Sequence, residues 1–335
     1  MRNMNTQLNV ATVVNMDALN LLAGEFKRRF ELSDEVIHER LVGRRFIFNR
    51  DGKDTYPFDD WDDGGEGEAA PIIAIEEAVT IASTDSSCIL LGETSDGAVY
   101  AVRAAVCFAS RGAVQGYFRI GPIIVHLSPK GACGLPTQLE GYELRVALSD
   151  HLIAERIIRN TMERRILGSL LESFSQRMVV MADGSLKHPL DTYPESFFTE
   201  DGSGSCLVGF SKSSALISSN RLSALVSRSR GAAYSVVEDG PVQTIIAKFA
   251  SDGLVFRLDV ARGSGRLAGV LGCILFNDGF SAGYPESLRI AHHLSVFSRS
   301  EDMALKAYLT NRHSLRQMQS FSLRRITLGG LSNSG

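Results

Sequence analysis

The sequence predicts a mixed α/β fold, in which helices cover a sheet that contains both antiparallel and parallel strands. Three consecutive segments rich in β-branched and apolar residues come first, separated by short turn signals. A long segment with apolar residues at helical spacing follows. A short, continuous apolar run then indicates a strand buried on both faces. The 335 residues, 44% apolar and 22% charged, fit an ordinary globular protein of one or two domains.

The region before the sheet is expected to be helical and then acidic. Apolar residues at helical spacing over Met16–Arg45 predict an N-terminal helical region within residues 1–50. Between Asp51 and Ala70 there are eight acids and one lysine, so the charge of this segment is −7, whereas the net charge of the whole chain is −3. Its glycines and its charge predict an acidic loop over residues 51–70. The remainder of the chain then carries +4.

The elements of the sheet follow in order. The three hairpin strands are predicted at Val79–Leu91, Ala98–Phe108 and Val114–Leu127. Glu143–Phe174 places apolar residues three and four positions apart, which predicts one long helix. Met178–Ala182 is the buried strand. Ser211–Arg230 is read as irregular and helical, Leu254–Val260 as a late strand, and Pro285–Phe297 as the start of the last helix pair.

This order of elements is the order found in RNase H-like folds, so we predict an RNase H-like mixed β-sheet flanked by helices over residues 71–310. In that plan the first and fourth strands lie side by side and parallel. Ligands of such sheets gather at the carboxyl ends of the strands. Asp85, on the first strand, and Asp183, at the end of the fourth, are therefore expected to converge.

Each of these two acids also has a simpler interpretation. A carboxylate inside a β-rich run is unfavourable unless it is paired, hydrogen-bonded or bound to metal, but Asp85 on an edge strand would face water. Asp183-Gly184-Ser185 is a common tight-turn signal. Because a buried parallel strand does not return through a two-residue hairpin, Asp183 is expected to be displayed at the end of the sheet.

A third acid is expected from the long helix, where Glu155 and Glu163 are the candidates. They are eight residues apart, which is about 12 Å along the helix axis and about 80° around it, so only one can reach a single metal centre. Glu163 is preferred because it stands 20 residues before Asp183, which leaves room for the rest of the helix and a short loop. A solvated helix glutamate is the alternative for both.

The segment from Gly283 to Leu294 adds a tyrosine and a histidine. Tyr284 stands just before a helix start, Pro285 fits the first turn, and His292 follows Tyr284 by eight residues. His292 and His293 lie about 100° apart on a helix, so only one can face the cleft. A structural histidine is the alternative. Scattered carboxylates with a late histidine indicate oxygen-rich metal chemistry on phosphate.

Taken in order, these motifs resemble the NurA nuclease family. The matching elements are Asp85-Ser86-Ser87, the helix acid Glu163, Asp183-Gly184-Ser185-Leu186, Gly209-Phe210-Ser211-Lys212, and Tyr284-Pro285 with Ala291-His292. The resemblance implies that Asp85, Glu163 and Asp183 hold manganese or magnesium as a two-metal site, and that Tyr284 and His292 complete it. His292 is implied as a further metal ligand or as a proton donor, and we expect Lys212 and Arg103 to contact DNA.

The resemblance also implies an activity and partners. It implies a metal-dependent DNA nuclease with 5′-to-3′ exonuclease and single-strand endonuclease action on single-stranded and resected duplex DNA. Such an enzyme serves DNA end resection and double-strand break repair, or anti-phage defence, as a homodimer docked to a hexameric HerA-type ATPase. The sequence itself has no phosphate-binding loop.

Two other functions stay open. The chain departs from the family's usual Asp-Gly-Ser at Asp85-Ser86-Ser87, which favours a catalytically silent DNA-binding or adaptor partner of the ATPase. Gly263–Ala268 approximates a dinucleotide-binding fingerprint and would suit an oxidoreductase, but it comes too late in the chain for the first strand–helix turn of that fold.

The remaining sequence features concern the basic C-terminal tail and the cellular compartment of the protein. Lys306–Arg325 holds five basic residues and no acid, so the C-terminal tail, residues 311–335, is either a DNA-binding surface or a solvated helix end. Five widely spaced cysteines without a Cys-x-x-Cys pair are expected to be reduced thiols. No apolar stretch approaches the roughly 18 residues of a membrane span, and Met1–Gly24 lacks the pattern of a signal peptide. We expect a cytoplasmic protein.

Overall fold

A computed structural model of the chain describes residues 24, 25, 28, 45, 46, 68–135, 137–173, 177–187, 205–212, 226–261 and 267–317. Gly24, Glu25 and Arg28 are helical. The rest of the predicted helical region up to Arg44 lies outside the described residues. So do most of the acidic loop, most of Ser211–Arg230, the glycines of Gly263–Ala268 and the tail beyond Gln317.

Fourteen strands and five helices are used below, all within the described ranges. The strands are β1 (Arg45–Phe46), β2 (Ala70–Pro71), β3 (Thr80–Thr94), β4 (Gly97–Ser110), β5 (Ala113–Ser128), β6 (Gly131–Cys133), β7 (Met178–Asp183), β8 (Cys206–Ser211), β9 (Ala233–Glu238), β10 (Val242–Lys248), β11 (Phe256–Ala261), β12 (Phe280–Ser281), β13 (Tyr284–Pro285) and β14 (Arg316–Gln317). The helices are α1 (Gly141–Ser149), α2 (His151–Ser173), α3 (Leu267–Asn277), α4 (Glu286–Ser295) and α5 (Arg299–Arg312).

One mixed sheet organises the fold, in the order β2-β9-β10-β11-β8-β7-β3-β4-β5-β6. The hairpin triplet β3–β4–β5 is antiparallel, as the short turn signals between its three segments predict. Strand β7 runs parallel to both β3 and β8, with Thr84 opposite Ala182 and Asp183 opposite Phe210. The predicted mixed α/β fold of the RNase H-like kind, with its first and fourth strands parallel and adjacent, is confirmed.

The predicted single helix Glu143–Phe174 is wrong, because the chain forms α1 and α2 with a break at Asp150. Asp150 is extended, at φ −152° and ψ 133°. Its Oδ1 accepts hydrogen bonds from the backbone N–H groups of Leu152, at 2.7 Å, and Ile153, at 3.1 Å. Aspartate favours such capping positions because its side chain binds N–H groups at a helix start. The apolar spacing runs across the break, so periodicity alone did not reveal it.

Helices cover the two faces of the sheet separately. One core cluster joins α2 to one face, through residues such as Ile158, Met162 and Val180. The other cluster joins α3 and α4 to the opposite face, through residues such as Leu271 and Leu288. All five cysteines are described, none of them forms a disulfide, and three of them are buried. Of the helices that the structure describes, none combines the length and apolar character needed to cross a membrane.

Candidate metal centre

The parallel pairing of β3 with β7 brings Asp85 and Asp183 together. Thr84 pairs with Ala182, so the next residue of each strand is an aspartate at the same level of the sheet. One ligand atom each of Asp85, Asp183 and His292 lie within 4.8 Å of one another. Among the described residues, this is the one group of three or more His, Cys, Asp or Glu side chains close enough to hold an ion.

Asp85 is held by its own strand and by α4. Its side chain is 7% exposed. Oδ1 accepts the backbone N–H of Ser86 at 2.8 Å, and Oδ2 accepts the Ser295 hydroxyl at 3.2 Å and lies 2.7 Å from Nδ1 of His292. The hydrogen bond to Asp85 raises the pKa of His292, because the carboxylate stabilises the imidazolium. Asp85 therefore favours a protonated histidine at the edge of the site.

Asp183 lies in a more open environment at the end of β7. Its Oδ2 accepts a hydrogen bond from Lys212 Nζ at 2.6 Å, and its Oδ1 accepts one from the Tyr284 hydroxyl at 3.4 Å. Burial and the neighbouring Asp85 carboxylate raise the pKa of Asp183, while Lys212 opposes the rise. Burial and the same two acids raise the pKa of Tyr284, so its hydroxyl keeps its proton and acts as a donor.

Glu163 is close to the site but not within the group. It is buried, and its Oε1 accepts a hydrogen bond from the Ser86 hydroxyl. Successive side chains of a strand point to opposite faces of a sheet. Ser83, on the same face as Asp85, contacts α4, while Ser86 faces α2 and Glu163. Glu163 therefore contacts Ser86, the residue next to Asp85, on the face of the sheet opposite to the Asp85 side chain.

Glu155, the other candidate helix acid, contacts a different part of β3. Its Oε1 accepts the backbone N–H of Leu90 at 2.9 Å, beside a register shift between Leu90 and Gly92. Burial raises the pKa of Glu155. Strand β3 continues beyond the end of β7, so a side chain satisfies this N–H group where no strand does. Glu155 thus supports the strand five residues beyond Asp85.

A buried polar chain fixes α4, which carries His292, against β3. The Ser287 hydroxyl donates to Asp278, and the Ser287 backbone N–H donates to the same carboxylate at 3.1 Å. Because the Ser287 proton is used in this way, Ser83 donates to the Ser287 oxygen at 2.5 Å. Burial raises the pKa of Asp278 to about 6, so it lies between its charged and neutral forms near that pH. His293, the neighbour of His292, is exposed.

Of the two residues expected to contact DNA, Lys212 is at the site and Arg103 is not. The Lys212 side chain is 40% exposed and lies 5.0 Å from the Tyr284 ring. Arg103 is buried. Its guanidinium pairs with Glu301 at 2.6 Å and lies 4.4 Å from the ring centre of Phe297. In this structure Arg103 holds the start of α5 to the sheet rather than presenting its charge to a phosphate.

Sequence reasoning missed the serines that surround the acids. Ser86 and Ser295 each contact a candidate site residue. Their positions in the sequence fit these contacts, because Ser86 follows Asp85 and Ser295 lies three residues after His292 on the same helix face. Serine is common and carries no charge. Only the fold shows which serines face an acid.

Comparison with known proteins gives structural similarity only. No protein-family model and no curated protein matches the chain. It is similar to the NurA nuclease from Sulfolobus solfataricus, with 13% identity, 72% of this chain and 86% of that chain covered, and a TM-score of 0.45. A NurA bound to dAMP and manganese is 10% identical, with 74% of this chain and 90% of that chain covered and a TM-score of 0.44. The catalytic domain of human endonuclease V is 12% identical, with 72% of this chain and 86% of that chain covered and a TM-score of 0.36.

Proposed function

We propose that this chain is a divalent-metal-dependent nuclease that hydrolyses phosphodiester bonds of DNA, with residues 71–310 as the nuclease domain. The observation that carries the proposal is the group of Asp85, Asp183 and His292, with ligand atoms within 4.8 Å of one another. The two carboxylates suit Mn²⁺ or Mg²⁺, which prefer oxygen ligands. The raised pKa of Asp183 beside Asp85 fits the same site, because a cation relieves repulsion between adjacent acids.

Each residue of the candidate metal centre has a proposed role. Asp85, Asp183 and His292 would hold the metal, with Glu163 as the third acid on the far side of Ser86. Bound Mn²⁺ or Mg²⁺, as a pair in our proposal, supplies activation of water and stabilisation of the leaving 3′ oxygen. Lys212 is exposed enough to bind a phosphate of the strand, and Tyr284 orients Asp183. His292 either binds the ion as a neutral imidazole or, in the protonated form that its raised pKa favours, protonates the leaving oxygen.

The substrate and the partner are proposed from the ordered sequence motifs. We propose 5′-to-3′ exonuclease and single-strand endonuclease action in the cytoplasm, in end resection or anti-phage defence, by a homodimer docked to a hexameric HerA-type ATPase. The sequence has no phosphate-binding loop of its own. Strand separation costs roughly 1.4 kcal/mol for each base-pair step, so an ATP-driven partner is needed for long duplexes.

A catalytically silent DNA-binding or adaptor protein is the second candidate. The observation that favours it is that the acids already have partners: the Ser86 hydroxyl binds Glu163, and Lys212 binds Asp183 at 2.6 Å. In that case Lys212 neutralises Asp183 and the group holds no metal. Metal binding by the purified chain, measured by calorimetry with Mn²⁺, separates the two candidates before any activity is measured.

The proposed function is tested with labelled single-stranded DNA in Mn²⁺, in Mg²⁺ and in a chelator. We expect cleavage with a metal and none in the chelator, and Asp85→Ala or Asp183→Ala should abolish it because each removes a ligand. Glu163→Gln should lower the rate at least about 10-fold, in the range seen when groups around a metal are altered. Glu155→Gln is the control and should retain activity. Cleavage in the chelator, or full activity in both aspartate variants, would overturn the proposal.

A further inference from the structure

Another buried aspartate lies behind Asp183. Asp259, on β11, is fully buried and accepts hydrogen bonds from several donors. Arg257 contacts both of its oxygens, through Nε at 3.2 Å and Nη2 at 3.3 Å, and the Thr244 hydroxyl donates to Oδ1 at 3.0 Å. A buried carboxylate is tolerated only when its charge is paired and its oxygens are hydrogen-bonded. Arg257 and Thr244 meet part of that requirement.

The other donors to Asp259 come from the turn that follows Asp183, residues 183–187, which we call the Asp183 turn. The Ser185 hydroxyl donates to Oδ2 of Asp259 at 2.5 Å, and the backbone N–H of Leu186 donates to the same oxygen at 3.0 Å. These donors are two and three residues after Asp183. Asp259 therefore holds this turn from beneath, across β8.

The backbone between Asp183 and Ser185 is also fixed. Gly184 has a φ of 123°, which favours glycine, and its N–H donates to the Phe210 carbonyl at 2.9 Å. The turn lies directly on β8: a Cβ atom added at Gly209 would come within 2.6 Å of the Gly184 carbonyl oxygen. With its backbone bound on both sides of Gly184, the turn leaves Asp183 few ways to move.

We infer that Asp259 is a positioning residue for Asp183: through Ser185 and Leu186 it fixes the direction in which the Asp183 carboxylate meets Asp85 and His292. This inference deepens the proposed function and rests on it, since the carboxylate is positioned for the metal. It also gives each residue of Asp183-Gly184-Ser185-Leu186 a physical role. Asp183 is the ligand, Gly184 makes the turn, and Ser185 and Leu186 bind Asp259.

The contacts of Asp259 provide a matched pair of variants. Ser185→Ala and Thr244→Val each remove one hydroxyl donor from the same carboxylate, and both leave the buried Arg257 pair in place. Only Ser185 belongs to the Asp183 turn. A purely structural role of Asp259 predicts equal effects of the two variants, whereas a positioning role predicts that Ser185→Ala alone disturbs the metal site.

The test measures Mn²⁺ affinity by calorimetry, kcat and KM on single-stranded DNA, and Tm in the full-length chain. We expect Ser185→Ala to weaken Mn²⁺ binding about 10-fold to 100-fold, as changes around a metal ligand do, and to lower kcat with little change in KM. Thr244→Val should lower Tm by a similar amount yet keep the wild-type Mn²⁺ affinity. Ser185→Thr, which keeps the hydroxyl, should restore Mn²⁺ affinity.

Two results would overturn the inference. One is wild-type Mn²⁺ affinity and kcat in Ser185→Ala, and the other is an equal loss of Mn²⁺ affinity in Ser185→Ala and Thr244→Val. Failure of the proposed function looks different, because the wild-type chain itself would then bind no Mn²⁺ and cleave no DNA. In that case there is no Mn²⁺ affinity to compare, and differences in Tm between the variants report the stability of the fold alone.

Discussion

The two aspartates of the candidate metal centre lie side by side on parallel strands, yet their surroundings differ. Asp85 is nearly buried, and its donors come from its own strand and from α4. Asp183 is 16% exposed, and its direct partners are the long side chains of Lys212 and Tyr284. One carboxylate is part of the packing between a helix and the sheet, and the other lies at the end of its strand.

This difference separates two roles that a metal-binding acid can have. Removing Asp85 removes the hydrogen bonds that His292 and Ser295 of α4 make to β3. Removing Asp183 leaves Lys212 and Tyr284 free to turn to water. We expect Asp85 to contribute both to stability and to metal binding, and Asp183 to metal binding alone.

After the loss of cleavage expected in the aspartate variants, the next largest effect concerns His292, which belongs to the Asp85 side of the site. His292→Ala should lower the cleavage rate by about 10²-fold to 10⁴-fold, the usual contribution of a positioned proton donor. His293→Ala is the matched control, since His293 is exposed, and it should retain activity. Rates are compared under single-turnover conditions with saturating Mn²⁺. Equal losses in the two variants would show that the helix surface, rather than one imidazole, matters.

The difference between the aspartates is then tested through stability. Asp85→Ala should lower the free energy of unfolding by about 3–4 kcal/mol, because the buried Ser86 N–H and the buried Ser295 hydroxyl both lose a charged acceptor. Asp183→Ala should change it by less than about 0.5 kcal/mol, since its partners are partly exposed and burial and Asp85 both raise the pKa of Asp183. Urea unfolding of both variants in a chelator gives the comparison. Equal losses would mean that the two acids are equivalent.

The same contrast explains what could be predicted from the sequence. Strands β3, β4, β5 and β7 have local signals: β-branched runs, turn residues and a continuous apolar strand. The meeting of Asp85 with Asp183 follows from the parallel pairing. Strands β9 and β10 were missed, because the buried polar residues Ser235, in β9, and Thr244, in β10, interrupt their apolar pattern. Lys248 is buried because its Nζ donates to three backbone carbonyls, which no local pattern shows.

Contacts between distant side chains account for the rest. Glu163 was preferred over Glu155 from its spacing, and the structure places Glu163 against Ser86 and Glu155 against the N–H of Leu90. The position along β3 that each one reaches depends on the register of α2 against β3. Similarly, Asp259 gave no signal in an apolar strand, and its importance appears only where Ser185 and Leu186 reach it.

The last and smallest effect concerns Asp278, whose carboxyl group fixes α4 beneath Asp85. Its pKa is about 6 in the folded chain, above the ordinary 3.8, because burial outweighs the Ser287 hydrogen bonds. The folded state therefore binds this proton more tightly than the unfolded state. The resulting stabilisation is fully present below about pH 4 and is lost as the pH rises through about 6, with a loss of about 2–3 kcal/mol. Asp278→Asn mimics the neutral acid, so it should be more stable than the wild type at pH 7.5 and no more stable at pH 4. Urea unfolding of both proteins in a chelator across this range isolates the contribution of Asp278. If the difference between the two proteins does not change with pH, Asp278 titrates normally, and the region beneath α4 is more open to water than its burial indicates.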